Sequence, residues 1–522
     1  MMNKHLIVIG AGLAGLSAAL QAVEEDFHVT LISAMPSERA QSVMAEGGIN
    51  AALDSQDSVM EHYADTMKAG CDLADPNAVL RMTQAAPELV RSLSRMGAQF
   101  NTRGRGEPDL RYFGGQKKKR TAFAKSDTGK QIMTALIDAA RRDEARGMIK
   151  RFNHHVFETL LLKDGVCHGC VIRDSYSGER LTLFGDGLIV ATGGIHGLFG
   201  NTTGSLVNTG EVSAALFGLG VPMANLEMIQ YHPTTVEIGG KKMLISEAAR
   251  GEGGRLFTIR DHKRWYFMEE KYPELGNLMP RDITAREIWH ISQESPVYLD
   301  MTDIPKDVIE RKLAGLITDC LTYLRQDIRV EPILVSPGIH YFMGGIDVDA
   351  RHRTAVKYLY AAGECCAQYH GANRLGGNSL LGAIYGGNVA ARTACAEARA
   401  ADVPFASARE SAGFSPDEAG LIETPHEMEE IHAILRGALG VVRDEKRMAD
   451  GLDQLASFGG PRALLGRAAI MSAMARQESR GAHYREDYPA RDDAFLKKTI
   501  AVYDGQTIRI HFESLPERRN PS

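Results

Sequence analysis

The stretch His5-Leu-Ile-Val-Ile-Gly10-Ala-Gly12-Leu-Ala-Gly15-Leu-Ser-Ala-Ala-Leu20 decides the fold. Its apolar run Leu6-Ile-Val-Ile reads as a buried strand. The glycines that follow allow a tight turn, close approach to a pyrophosphate and close helix packing. The Ala-rich run beyond them reads as a helix whose N-terminus faces the phosphates. Strand, glycine turn and helix in this order predict a Rossmann-like α/β domain that binds a dinucleotide. The second strand, His28-Val-Thr-Leu-Ile-Ser33, ends in serine where an NAD site usually places an acid. That weakens an NAD reading and leaves FAD open.

Other glycine-flanked stretches extend the same site. Gln41-Ser42-Val-Met-Ala-Glu-Gly47-Gly48 places adjacent glycines after small residues. Leu188-Ile-Val-Ala-Thr-Gly193-Gly194 reads as another buried strand ending in glycines. The strand Tyr358–Ala362 is followed by Gly363-Glu364 and then His370-Gly-Ala-Asn-Arg374-Leu-Gly-Gly-Asn-Ser379-Leu. Arg374 stands almost alone as a charge there, and its planar fork suits a carboxylate held in two-point contact. Cofactor and anionic substrate are expected to meet at this stretch.

With 522 residues the chain exceeds one ordinary core, so two or three domains are expected. A net charge of -6 gives no nucleic-acid footprint. No apolar run approaches the ~18–20 residues of a membrane span. Glycines and Glu24-Glu25-Asp26 follow the apolar start, which argues against a signal peptide and for a cytoplasmic protein. The seven cysteines are scattered, as reduced thiols would be. Cys167-His-Gly-Cys170 has no second pair to complete a metal or cluster site, so it reads as packing, and no metal site is expected.

Further along, residues 58–98 read as helices broken at Asp72-Leu-Ala-Asp-Pro76, and Asp127 opens a helix running to about Arg142. Between them, Phe113-Gly-Gly-Gln-Lys117-Lys-Lys-Arg120 is a glycine loop leading into a basic run whose three lysines read as a solvated face. Short alternating strands fill residues 151–190. Residues 228–343 differ in composition and read as an inserted α+β domain. The expected organisation is a discontinuous FAD-binding domain, 1–227 and 344–410, around that insert. A helical domain, 416–480, and a polar tail, 481–522, with a hairpin at Asp504-Gly505, complete it.

The insert carries Gln230-Tyr-His232-Pro-Thr, Ser246-Glu247-Ala-Ala-Arg250-Gly-Glu-Gly-Gly, Pro280-Arg281-Asp and His340-Tyr-Phe-Met-Gly-Gly. Singly, each has an ordinary explanation as a loop histidine, a helix-surface pair or a cap. Jointly, two histidines, a hydroxyl and an arginine can grip two carboxylates, and a second arginine beside a Glu–Arg pair can pass a proton.

With these motifs the chain resembles the flavoprotein subunits of the succinate dehydrogenase and fumarate reductase family, of which L-aspartate oxidase is a close branch. The resemblance runs from about residue 5 to 410 and again over Glu478-Ser-Arg-Gly-Ala-His-Tyr-Arg-Glu-Asp-Tyr-Pro and Arg491-Asp-Asp. It implies an FAD-binding domain, a mobile capping domain and a C-terminal helical domain. By the resemblance, His340 and Arg374 hold one substrate carboxylate, and His232 and Ser246 hold the other. Phe113 packs at the substrate. Arg281 donates the proton, and Glu247 and Arg250 return it. The flavin N5 delivers hydride to the neighbouring carbon. FAD contacts are expected at Gly10, Gly12, Gly15, Ser33, Ser42, Gly47, Gly48, Glu364 and Ser379.

Three positions depart from the family pattern. The histidine that many members bond covalently to FAD aligns with Gln41, so FAD is expected to be dissociable and fumarate reduction favoured over succinate oxidation. The usual Thr-Gly-Asp-Gly is Thr209-Gly210-Glu211-Val212, and a lysine common after Ser33 is Ala34. The resulting expectation is a fumarate reductase flavoprotein. L-aspartate oxidase is its nearest rival, but that branch carries a glutamate where Phe113 stands. A reductase of another unsaturated acid and a non-catalytic FAD-binding assembly subunit fit the motifs less well. The chain has no haem motif or cluster-binding cysteine set of its own, so electrons must come from elsewhere. The resemblance suggests an iron–sulfur subunit and, through it, a quinone-reactive membrane subunit. The protein would then sit peripherally on the cytoplasmic face of the inner membrane.

Overall fold

The strand His5–Ile9 is the middle of a five-stranded parallel sheet in a computed structural model that describes residues 4–125, 127–401 and 423–518. The sheet order is Leu359–Ala361, Gly187–Val190, His5–Ile9, His28–Ser33 and Ile149–Asn153. Leu6 pairs with Gly187 on one side and Val29 on the other. Because both faces of such a sheet are covered, Leu6, Ile7 and Val8 have no exposed surface, matching the unbroken apolar run. The turn after the strand needs glycine. Gly10 has φ +111°, and a Cβ there would run into the Ala191 carbonyl. Gly15 lets the helix Leu13–Glu24 press onto the Gly10 carbonyl. Against that helix lies a longer one, Asn378–Ala400.

The helices Val59–Ala69 and Pro76–Arg95 are separated at Asp72-Leu-Ala-Asp75, where the Asp75 carboxylate caps the second. The helix expected from Asp127 spans Thr128–Ala145. His155–Lys163, Val166–Asp174 and Arg180–Phe184 form the antiparallel meander. Cys167 and Cys170 lie buried inside it, and burial pushes the Cys167 thiol up to about 12.

Within residues 228–343 the strand Ile229–Ile238 pairs antiparallel with Lys241–Leu244 and with Ser336–Phe342. A second sheet joins Lys263–Trp265, Arg255–Arg260, Val297–Asp300 and Ile333–Leu334. This region has its own apolar cluster, including Ile245, Leu256, Phe267, Ile288 and Leu299.

The helical start expected near Pro416 lies outside the described residues. The helices that follow are Pro425–Ala438, Glu445–Leu455 and Pro461–Ala475. The stretch expected as a polar tail is built into the fold. Its hairpin, Lys497–Tyr503 with Ile508–Ser514, pairs through Ala501 and Ile500 with Met223 and Ala224. Its Arg485 is buried and donates to Glu445 Oε2 and to Asp487 Oδ2, both at 2.6 Å. Among the described residues no helix is long and apolar enough to cross a membrane.

Candidate active site

A cleft of about 710 Å³ runs from the first glycine turn into the region of residues 228–343. Gly10, Gly12, Ser33, Ser42, Gly47, Gly48, Glu364 and Ser379 line it, as do Phe113, His232, Ser246, Glu247, Arg281, His340 and Arg374. Gly15 and Arg250 lie just behind this lining. Gly15 packs the first helix, and Arg250 touches the cleft through Glu247.

The glycine end has the form of a dinucleotide cradle. At Gly12 a Cβ would meet the Ser42 hydroxyl at 3.3 Å, and that hydroxyl accepts the Leu13 amide at 3.3 Å. Ser33, at the end of its strand, donates to Asn153 Oδ1 at 3.2 Å. Glu364 joins two glycine stretches: its Oε1 accepts the Phe342 amide at 3.1 Å and lies 3.2 Å from His196 Nε2. A Cβ on Gly194 would come within 2.5 Å of that carboxylate. The small residues, a helix N-terminus and the volume of the cleft fit an FAD. Gln41, Ala34 and Thr209-Gly210-Glu211-Val212 all line the same wall.

The other end is built from arginines. Arg281 opens the helix Arg281–Ser292 and is buried. Its Nε and Nη2 both donate to Glu247 Oε2, at 2.9 and 2.6 Å. Glu247 Oε1 accepts the Gly114 amide at 3.0 Å and faces Arg250 Nη2 at 3.6 Å. Burial alone would raise Glu247, but Arg281 and Arg250 outweigh it and hold the carboxyl below its ordinary value. Arg374 differs. It is 3% exposed, lies 4.3 Å above the Tyr341 ring and has no carboxylate partner among the described residues. Burial, then the charge of Arg281, pushes it down to about 9. A buried guanidinium without a counter-ion is a site for an anion.

Beside it stand His232 and His340, with ring centroids 5.1 Å apart. Burial and then Arg281 keep both imidazoles well below 6.5, so they are neutral at physiological pH. Ser246 caps the helix Glu247–Gly251. Phe113 is wedged between glycines, its ring atoms 3.1 and 3.0 Å from where Cβ atoms on Gly47 and Gly376 would stand.

Models of two families match the chain: an FAD binding domain over residues 5–380 and a fumarate reductase flavoprotein C-terminal domain over residues 462–519. The chain belongs to the succinate dehydrogenase and fumarate reductase flavoprotein family. It is 37% identical to the succinate dehydrogenase flavoprotein subunit of Bacillus subtilis, over 96% of this chain and 94% of that one. It is 32% identical to an L-aspartate oxidase of Streptomyces coelicolor, covering 98% and 94%. Its fold matches a mutant of the FrdA subunit of Escherichia coli quinol fumarate reductase, with TM-score 0.90, 29% identity and coverage of 100% and 98%. Members of the family are FAD-dependent oxidoreductases that act on the succinate/fumarate CH–CH bond.

Several side chains that shape this family site carry no mark of their role in the sequence. Gln230 is the most connected. Its Nε2 donates to Asn373 Oδ1 at 2.7 Å and to the Arg374 carbonyl at 2.8 Å, while its Oε1 accepts Arg281 Nη1 at 3.0 Å. Asn373 in turn donates to Asp282 at 2.9 Å. Thr203, His196 and Tyr341 also line the cleft. Gln230 lies two residues from His232, and Asn373 lies beside Arg374. A polar residue flanking a functional one is the signal that could have found them.

Proposed function

We propose that the chain is the flavoprotein of a fumarate reductase, converting fumarate, two electrons and two protons to succinate. The observation that carries this reading is the pairing of unlike arginines in one cleft. Arg281 is locked to a relay carboxylate, and Arg374 stands beside two neutral histidines without a carboxylate partner among the described residues. The glycine end of the cleft, with Gly10, Gly12, Ser42, Gly47, Gly48 and Glu364, would hold an FAD, which would supply the two electrons as a hydride. Arg374 and His340 hold one carboxylate; His232 and Ser246 hold the other. Clamping both ends fixes the alkene carbons, and such positioning is worth roughly 7–11 kcal/mol. Arg281 gives its proton to the carbon next to the one that takes the hydride. A guanidinium is a weak acid, with a pKa above about 12, so rapid reprotonation matters. Glu247 touches both Arg281 and Arg250 and returns the proton along that line. Phe113 covers the site and excludes water.

Residues 228–343 act as the cap over the discontinuous FAD domain, 1–227 and 344–410, and their separate apolar cluster suits independent movement. The described residues of the C-terminal helical domain, 416–480, and of the segment 481–522 brace the base. FAD is bound without a covalent link, because Gln41 offers no nucleophile. Electrons arrive through an iron–sulfur subunit and a quinone-reactive membrane subunit, with this chain peripheral on the cytoplasmic face. The E. coli quinol fumarate reductase, whose FrdA it matches in fold, supports that reading.

L-aspartate oxidase is the second reading, favoured by the Streptomyces relative. Burying a substrate ammonium against Phe113 with no carboxylate partner is costly, which ranks it lower. A titration of the FAD-loaded protein separates them: succinate should perturb the flavin absorbance, and L-aspartate should leave it unchanged. The reverse pattern would assign the chain to the oxidase.

A further inference from the structure

We propose that Thr203 is a positioning residue that fixes the tautomer of His340, so that the neutral ring presents Nε2–H to a substrate carboxylate. The inference rests on the dicarboxylate reading of the cleft. A neutral imidazole carries one N–H. If that hydrogen sits on Nδ1, the lone pair of Nε2 faces the carboxylate and repels it. If it sits on Nε2, the ring donates. The neighbour of Nδ1 therefore decides whether His340 can bind the substrate without first taking up a proton.

That neighbour is the Thr203 hydroxyl, 2.8 Å from Nδ1. The hydroxyl has one hydrogen and two acceptors in reach, Nδ1 and the Ile339 carbonyl at 3.3 Å. The Ile339 carbonyl already accepts the Thr203 amide at 3.0 Å, so it has no need of the hydroxyl. Donation to Nδ1 is the shorter contact, and it leaves the ring hydrogen on Nε2, where it can meet a ligand in the cleft. Nε2 of His340 has no partner among the described residues, and His340 and Thr203 both line the cleft.

A protonated His340 is the other way to bind a carboxylate, and its surroundings oppose it. The charged and titratable groups that face it are Arg281, Arg374, His232 and His196. Arg281 and Arg374 repel an imidazolium, and no carboxylate stands among the four to stabilise one. The backbone supports the assignment. Residues 202–203 bridge the base and the cap: Thr202 pairs with Ile339, and its carbonyl accepts the Lys242 amide at 3.3 Å. The Thr203 hydroxyl is thus held by main-chain bonds on both sides, as a tautomer-setting group must be. Thr202 makes the parallel contact to a second histidine, its hydroxyl 3.2 Å from His196 Nδ1.

The test uses the full FAD-loaded chain with Thr203→Val, which keeps the shape and removes the hydroxyl, and Thr203→Ser, which restores it. Two readouts are taken: the nitrogen chemical shifts of His340 by histidine-labelled NMR, assigned with His340→Gln, and the succinate Kd from flavin absorbance. The wild type should show Nε2–H. Thr203→Val should lose that signature and weaken succinate binding by about tenfold or more, the scale of one hydrogen bond to a charged group. Thr203→Ser should restore both. An unchanged Nε2–H signature in Thr203→Val, or Thr203→Ser behaving like Thr203→Val, would overturn the proposal. Should the wild type fail to bind succinate, the dicarboxylate reading falls while the NMR comparison still decides the role of Thr203.

Discussion

Arg281 aims both Nε and Nη2 at a single oxygen of Glu247, at 2.9 and 2.6 Å, leaving the other oxygen to Gly114 and Arg250. In the proposed mechanism this geometry divides the carboxylate between the proton donor and its resupply. Gln230 fixes the remaining face of the guanidinium and ties it to the loop of Arg374. The proposed proton donor, Arg281, and the loop of the proposed anion clamp, Arg374, are therefore joined in one buried network.

Arg281→Lys should lower turnover by on the order of 10²–10⁴-fold, the contribution of a positioned general acid. FAD content should be unchanged, because Arg281 lies at the substrate end. Steady-state kinetics beside the flavin absorbance of the purified variant check this. Near-normal turnover would remove Arg281 from the mechanism.

Glu247→Gln should destabilise the protein as well as slow it. It leaves Arg281 and Arg250 buried without a counter-charge, and breaking such a pair costs about 3–5 kcal/mol. Denaturant unfolding of the two proteins measures the difference. The pH dependence follows from the depressed carboxyl. Its contribution is present above the ordinary value of 4.5 and is lost as pH falls through the lower folded value. The gap between wild type and variant should therefore be constant above 4.5 and narrow as pH falls from there through the lower folded value.

Phe113→Glu should weaken succinate binding. The side chain is 3% exposed, and a carboxylate there would be buried facing the substrate's own. Comparison of succinate Kd values checks the direction.

Gly10→Ala should cost more than about 1 kcal/mol, since alanine fits poorly at φ +111° and its Cβ collides with Ala191. The variant should also purify with less FAD, read from the ratio of visible to ultraviolet absorbance.

Acid precipitation should release the yellow colour to the supernatant, because Gln41 stands where a covalent histidine would. Colour retained on the pellet would establish a link through another residue.

Much of this was legible in the sequence because the decisive elements are local. The run Leu6–Ile9 and its glycines specify a strand and turn from neighbouring residues alone, and the active-site motifs are short and flanked by glycines. What escaped was non-local. Residues 481–518 look polar because they carry many charges, yet their hairpin pairs with Met223 and Ala224, and Arg485 is buried with its guanidinium on Glu445, far back in the chain. Charge signals a surface only when no counter-charge folds back onto it. Gln230 was missed for a related reason: its partners come from two distant stretches, Asn373-Arg374 and Arg281, which its own neighbours do not announce. The same holds for Thr203, whose partner His340 is distant in sequence.

The most direct test of the proposed function is an anaerobic assay of the FAD-loaded protein with a chemically reduced viologen as electron donor. The account expects fumarate to reoxidise the viologen with succinate as the product, and L-aspartate to yield neither iminoaspartate nor peroxide when air is admitted. Peroxide formed from L-aspartate, with no reoxidation by fumarate, would contradict it.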